Sequence, residues 1–328
     1  MRGRAFCCVL VMAVLLLGAS HSNPAEETNW GKWGADDQMG TWNYVTPEVI
    51  RHALTLVRKG EAYLLALPIE PDQMTASNRD DRIYRYMAST GQSASREPAF
   101  AEDELFTPVH GPTHWDGLAH IMGERKLYNG YDSDTYVTDR GALRNGVQNV
   151  SNKMVTRGVL VDIARDQGVK RLSAGHLVTV EDIETAARHE GVSFLQGDVV
   201  FIRTGWMSIW YEQGKYAYRH THGAPGIGWG VSQWLKRNRA AAVGVDTVDQ
   251  EIMPCEPEAL QMIHQPKWDM PIHYELIRNQ GMMLMDISYL DELAEACARD
   301  HVYEFLFIGG ALNIINGTGS PACPLAIK

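Results

Sequence analysis

Cysteine is scarce and poorly spaced for chemistry. The 328-residue chain has 5, and Cys7 and Cys8 fall in an apolar N-terminal run. Cys255, Cys297 and Cys323 remain, an odd count with no metal-knuckle spacing. A chain this long can bury a sizeable core without a crosslink. A glycine-rich phosphate loop is also missing. Gly226-Ile227-Gly228 is too short a match to suggest nucleotide or dinucleotide binding. Beyond the N-terminal region no apolar run is long enough to span a bilayer, and no internal repeat or low-complexity tract interrupts the chain.

Positive charge is in deficit as well. The formal net charge is −10. An acidic chain repels nucleic acid and anionic lipid at long range, so neither is an expected partner. A small neutral or weakly charged substrate fits better.

The first residues stand apart from the rest. Arg2 and Arg4 form a basic start, Phe6 to Leu17 is apolar, and Gly18, Ala19, Ser20 and Ser22 are small. That order reads as a cleavable signal peptide over residues 1–22, with the mature domain over 23–328 and a secreted or periplasmic destination. Removing the two arginines leaves a mature charge near −12. Asn149-Val150-Ser151 and Asn316-Gly317-Thr318 are glycosylation sequons, relevant in a eukaryotic host.

What the sequence does have is a patterned α/β chain. Thr46 to Lys59 reads as a helix closed by Gly60, Thr179 to Glu190 as a helix with a capping box, and Gly228 to Asn238 as a third. Ala62 to Leu67, Val159 to Asp162, Asp198 to Ile202, Ala241 to Val245 and Phe305 to Leu312 are apolar runs of strand length. Residues 70–100, with Tyr84 and Tyr86 in the middle, read as a long surface loop. The alternation predicts one α/β domain with a mixed sheet and outer helices.

One stretch carries the chemistry: His110-Gly111-Pro112-Thr113-His114-Trp115-Asp116-Gly117-Leu118-Ala119-His120. Gly111 and Pro112 argue against a helix. In an extended chain His110, His114 and Asp116 share parity and so can face one way. Imidazole and carboxylate suit zinc or manganese, and three protein ligands leave a position open for catalysis. Gly117 is expected to turn the chain before His120, whose imidazole can exchange a proton near neutrality. Trp115, between two ligands, and Trp30 and Trp33 are candidate substrate-binding aromatics. His220 and His222 are candidate site-lining residues, His264 and His301 have no supporting context, and Asp246 ends a buried strand.

This segment resembles the signature His-x-Gly-Thr-His-x-Asp-x-x-x-His of the cyclase family, which includes bacterial kynurenine formamidase and isatin hydrolase. His110, Thr113, His114, Asp116 and His120 match, while Gly111-Pro112 departs from the usual order. Asn29 to Gly34, Asp36 to Thr41, Lys126 to Gly130, Arg157 to Asp162, Gly197 to Val200, Arg203 to Trp206 and Val243 to Thr247 are similar to family segments in the same order. The resemblance implies a swivelling β/α/β fold around a barrel-like sheet, in homodimers or homotetramers. It implies His110, His114 and Asp116 as metal ligands, His120 as the acid/base, and His273 as a further ligand. The position of a family glutamate serving a second metal falls on Met285, a poor zinc or manganese ligand. One divalent ion, Mn2+ or Zn2+, is therefore expected. Asp286 is one residue off, a slip expected to turn it to the opposite face.

The implied activity is metal-dependent hydrolysis of an amide or lactam C–N bond in an aromatic or cyclic substrate. Lactone or ester hydrolysis, an intramolecular cyclase or dehydratase, and a non-catalytic exported metal- or solute-binding protein remain open alternatives.

Overall fold

Four apolar segments set the frame. In the computed structural model, which describes residues 28–70, 83–90, 100–220, 223–263 and 269–328, they are strands β3 (Val155–Asp162), β4 (Val199–Arg203), β5 (Ala242–Val245) and β6 (Met283–Asp286), all mutually parallel. Each is buried almost throughout, as strands covered on both faces must be. Alternate residues go to opposite faces. Leu160, Phe201, Met283 and Met285 enter one core. Val159, Val161, Val200, Ile202, Val243, Val245 and Leu284 enter another.

Antiparallel strands extend this unit on both sides. The remaining strands of this sheet are β1 (Ala62–Leu64), β2 (His114–Asp116), β7 (Glu304–Ile308), β8 (Gly319–Pro321) and β9 (Leu325–Ile327). The order β1-β9-β7-β3-β4-β5-β6-β2-β8 makes one curled nine-stranded half-barrel sheet in a single mixed α/β domain. This is the mixed, barrel-like fold the sequence predicts.

Apolar spacing marks the main helices, and side-chain caps start two of them. Helix α1 (Pro47–Leu54) starts on Thr46, whose side chain accepts from Val49 N, and it ends before the predicted Lys59. Helix α2 (Val180–Glu190) has the predicted capping box between Thr179 and Asp182 and closes on left-handed Gly191. Helix α3 (Trp229–Arg237) packs Val231, Trp234 and Leu235 beside α2 in the second core. Helix α4 (Asp291–Asp300) puts Leu293, Ala294 and Cys297 in the first.

The predicted loop over 70–100 is partly wrong. Tyr84–Ser89 pairs antiparallel with Glu102–Phe106, so Tyr84 and Tyr86 lie on an exposed hairpin rather than in a loop. Tyr and Phe side chains paired across the ribbon, Tyr84 opposite Phe106, favour that pairing. The predicted signal peptide, residues 1–22, lies outside the described residues. No helix among the described residues is long and apolar enough to cross a membrane.

Candidate metal centre

Strand β2 is three residues long, and all three are buried. It lies between β6 and β8, with Asp286 and Pro321 both opposite His114. His114 and Asp116 share one face. Trp115 points the other way into the first core, against Trp42 and Phe307. Gly117 ends the strand by donating its N–H to Thr318 O, and a Cβ there would stand 2.6 Å from that oxygen. His120 N then bonds back to Gly117 O, which closes the predicted turn. His110 precedes the strand in a bend. The parity argument therefore holds for His114 and Asp116, and a bend rather than a continuous strand brings His110 to them.

Asp116 is the centre of the cluster. Its Oδ1 lies 3.4 Å from His114 Nε2, 3.6 Å from His110 Nε2 and 3.9 Å from His120 Nε2. Its Oδ2 lies 3.3 Å from His273 Nε2, which is 3.8 Å from Asp286 Oδ2. Ligands at zinc-like distances from one ion stand about 3.3–3.6 Å apart in a tetrahedron. Two triads have donor atoms within 4.8 Å of one another, His110/Asp116/His120 and His114/Asp116/Asp286. The buried His110 Nε2 and Asp116 Oδ1 have no hydrogen-bond partner among the described residues. Buried orphan donors and acceptors are rare and call for an explanation, and a cation among them supplies one.

The imidazoles are aimed by their other nitrogen. His114 Nδ1 is 3.0 Å from Pro112 O. A carbonyl only accepts, so Nδ1 carries the proton and Nε2 presents a lone pair. His273, on the short helix Pro271–His273, donates Nδ1–H to Glu251 at 2.6 and 2.8 Å, and its backbone N–H to the same carboxylate at 2.7 Å. Thr113 donates its hydroxyl to Ile287 O and accepts from Leu67 N, tying β2 to the end of β6.

The expectation at Met285 is corrected. Met285 is fully buried in the first core beside Trp115, its register partner. Asp286 is the residue on the metal face, because register places it opposite His114. Between His273 and β6 the chain passes through a π-turn over Tyr274–Asn279. The argument for a single ion rested on Met285 and falls with it.

The charges are strongly coupled. Burial opposes the Asp116 carboxylate, but the surrounding imidazoles of His120, His114 and His273 outweigh it and hold its pKa well below the usual range. Burial likewise opposes charge on His273 and His114, and neighbouring carboxylates reverse the balance, raising both. For His110 burial wins and depresses the pKa to about 3. Burial also lowers His120. Burial and then the nearby Asp116 charge raise Asp286. Burial, with Asp286 next, raises Asp249 to about 6. Such a nest of buried carboxylates calls for positive charge, which a divalent ion provides.

The aromatic candidates are not at this site. Trp115 is wholly buried with Nε1 bonded to Gly309 O. Trp30 donates Nε1 to Arg278 O and covers the Arg278 guanidinium, and Trp33 packs edge-on to Tyr44. Their segment is tied to the starts of β5 and β6 through Thr41, bonded to Ala241 O and Gly281 O. Asp286 lies at the far end of β6. Trp30 and Trp33 were chosen for residue type alone, which carries no position.

Asp246 is structural, accepting from Thr204 N, Thr204 Oγ1 and Gly205 N. His301 caps α4 in a left-handed conformation away from the cluster. The side chains of His220, His222 and His264 lie outside the described residues. Sequence reasoning missed Asp249, Gln250 and Glu251. Gln250 donates to Asp286 Oδ1 at 2.5 Å. Their signal was present as polar and acidic residues just after the buried strand ending at Val245, the end where α/β proteins place sites.

Known proteins agree with the fold. A family model described as "Putative cyclase" matches residues 29–251. The crystal structure of a novel cyclase is 33% identical, with TM-score 0.82, over 92% of this chain and 100% of that one. Isatin hydrolase A from Ralstonia solanacearum shares 19% identity and TM-score 0.60 over 81% of this chain and 91% of its own. Isatin hydrolase A from Labrenzia aggregata, bound to benzyl benzoate, shares 20% and 0.59 over 84% and 94%. No curated protein matches. From the length of the family match and the 33% identity over nearly the whole chain, this protein belongs to the cyclase family.

Proposed function

We propose that this protein is a metal-dependent hydrolase that opens an amide or lactam C–N bond in a small aromatic or cyclic substrate. The carrying observation is the Asp116 carboxylate, its Oδ1 facing His110, His114 and His120 and its Oδ2 facing His273. His110, His114 and Asp116 would hold a divalent cation, Mn2+ or Zn2+, with His273 and Asp286 as donors on the second side of Asp116. The cation would acidify a water molecule and polarise a carbonyl.

His120 acts as the acid/base. Its side chain is 31% exposed against 2% for His114, so it is the imidazole most open to an incoming substrate. Its lowered pKa keeps it neutral near pH 7, able to take a proton from water and return it to the leaving nitrogen. The low-identity likeness to isatin hydrolases supports the fold, and the choice of a C–N bond rests on the family resemblance. Export rests on Arg2, Arg4 and the apolar run that follows, and a homo-oligomer on the same resemblance.

The test is turnover of isatin, N-formylkynurenine and a lactone by protein loaded with manganese or zinc. His120→Ala is expected to keep metal binding and lose about 10²–10⁴-fold in rate. Metal binding without turnover on any of these substrates would favour a binding protein. A product without solvent oxygen would favour a cyclase or dehydratase.

A further inference from the structure

We propose that Glu251 is a positioning residue for the metal centre, fixing His273 in the tautomer and orientation that present Nε2 to Asp116 and Asp286. The inference rests on the metal-site reading above and adds to it a residue that takes no part in ligation. Glu251 is 2% exposed and lies in the loop after β5. Oε1 is 2.8 Å from His273 Nδ1 and 2.7 Å from His273 N, and Oε2 is 2.6 Å from Nδ1. Both oxygens are thus directed at one histidine, and neither is among the donors of the two candidate triads.

The geometry has a chemical consequence. A carboxylate only accepts, so Nδ1 keeps its proton and Nε2 is the nitrogen left to ligate. The bond to the backbone N–H fixes the position of the residue, and the bond to Nδ1 fixes the rotation of the ring. A carboxylate on the distal nitrogen also makes an imidazole a stronger donor. The neighbouring residue does the same for the other donor on that side, since Gln250 donates Nε2 to Asp286 Oδ1. Consecutive side chains of one loop thereby orient both partners of the Asp116 Oδ2 side. The link is also mechanical: His273 begins the turn that leads into β6, and Glu251 ties that turn to the loop after β5.

The test uses the full chain and measures binding of Zn2+ and of Mn2+ alone by calorimetry, with the melting temperature of the metal-free protein as the fold control. Glu251→Ala is expected to weaken metal binding 10–100-fold. Glu251→Gln keeps an acceptor for Nδ1–H but loses the charge, so it should fall between Glu251→Ala and the parent. It also carries the test if the alanine variant does not fold. The decisive readout is a double-mutant cycle with His273→Ala. If Glu251 acts through His273, its replacement costs no further affinity once His273 is gone. Equal losses with and without His273 would overturn the proposal, as would parent-like affinity in a folded Glu251 variant. Failure of the parent chain to bind either ion would overturn the metal-site reading itself.

Discussion

Asp116 occupies a position no neighbour could share. It is 2% exposed, three imidazoles approach one of its oxygens and a fourth approaches the other. Asp116→Asn keeps the shape but turns one acceptor into an NH2 donor facing imidazole nitrogens. Metal affinity, read by calorimetry on folded protein, should fall by about 10²-fold or more, and the melting temperature of the metal-free chain should drop, because His114 and His273 lose a buried carboxylate that raises their pKa. Retained affinity would show that the histidines suffice. Trp115 makes the opposite case. It is a neighbour of two proposed ligands in sequence but a core residue in space. Trp115→Phe should cost about 1–3 kcal/mol in denaturant unfolding, through lost contacts and an unpaired Gly309 carbonyl. KM should be unchanged, and a change in KM with parent-like stability would return Trp115 to the substrate site. Parity made His114 and Asp116 legible, because an extended chain alternates whatever lies around it. The same rule, read alone, assigns Trp115 to the opposite face. The place of Glu251 and Gln250, polar residues after a buried strand, was legible, but their partners were not, since those exist only through a loop meeting a helix and a strand that follow it.

Elements set how close these residues come. Strand β8 is the less obvious one, with Gly319 opposite Asp116. A Cβ at Gly319 would stand 2.6 Å from both His110 Nε2 and Trp115 O. Gly319→Ala must therefore push either the β2 backbone or the His110 ring. Backbone cannot yield cheaply within a ladder, so the ring moves and the site loosens. The expected result is a drop in metal affinity of at least 10-fold with a stability loss of about 1–3 kcal/mol. Parent-like affinity would mean that His110 does not ligate. Helices α1 and α2 were legible from their caps, Thr46 and the Thr179–Asp182 box, because capping is local chemistry, whereas α4, which has no side-chain cap, was not. Strand order and register were not, because β2 meets β6 across more than 160 residues of chain. The reading of Met285 and Asp286 turned on that register alone.

At the scale of the whole molecule, the acidic balance extends into the interior well away from the metal centre. Glu190, at the C-terminal end of α2, accepts the Asp162 N–H at 2.8 Å through Oε1, while Oε2 has no hydrogen-bond partner among the described residues. Burial first, and then the charges of Asp162 and Asp166, raise its pKa to about 8. The folded chain thus holds a proton that the unfolded chain, with a glutamate pKa near 4.5, releases at lower pH. Stability from this group is full below about pH 4.5 and declines as pH rises toward 8, because the unfolded state binds fewer protons there. Asp198, raised to about 7 by burial, adds a slope of the same sign. Glu190→Gln keeps the acceptor for the Asp162 N–H and removes the titration. In thermal melts of metal-free protein it should match the parent at pH 4.5 and exceed it increasingly up to pH 9, by about 1–3 kcal/mol at most. Asp198 remains in both proteins, so it cancels from the difference. A gap that stays constant with pH would show that the Glu190 carboxyl is already ionised in the fold, and that Arg165, which acts to lower its pKa, prevails over burial.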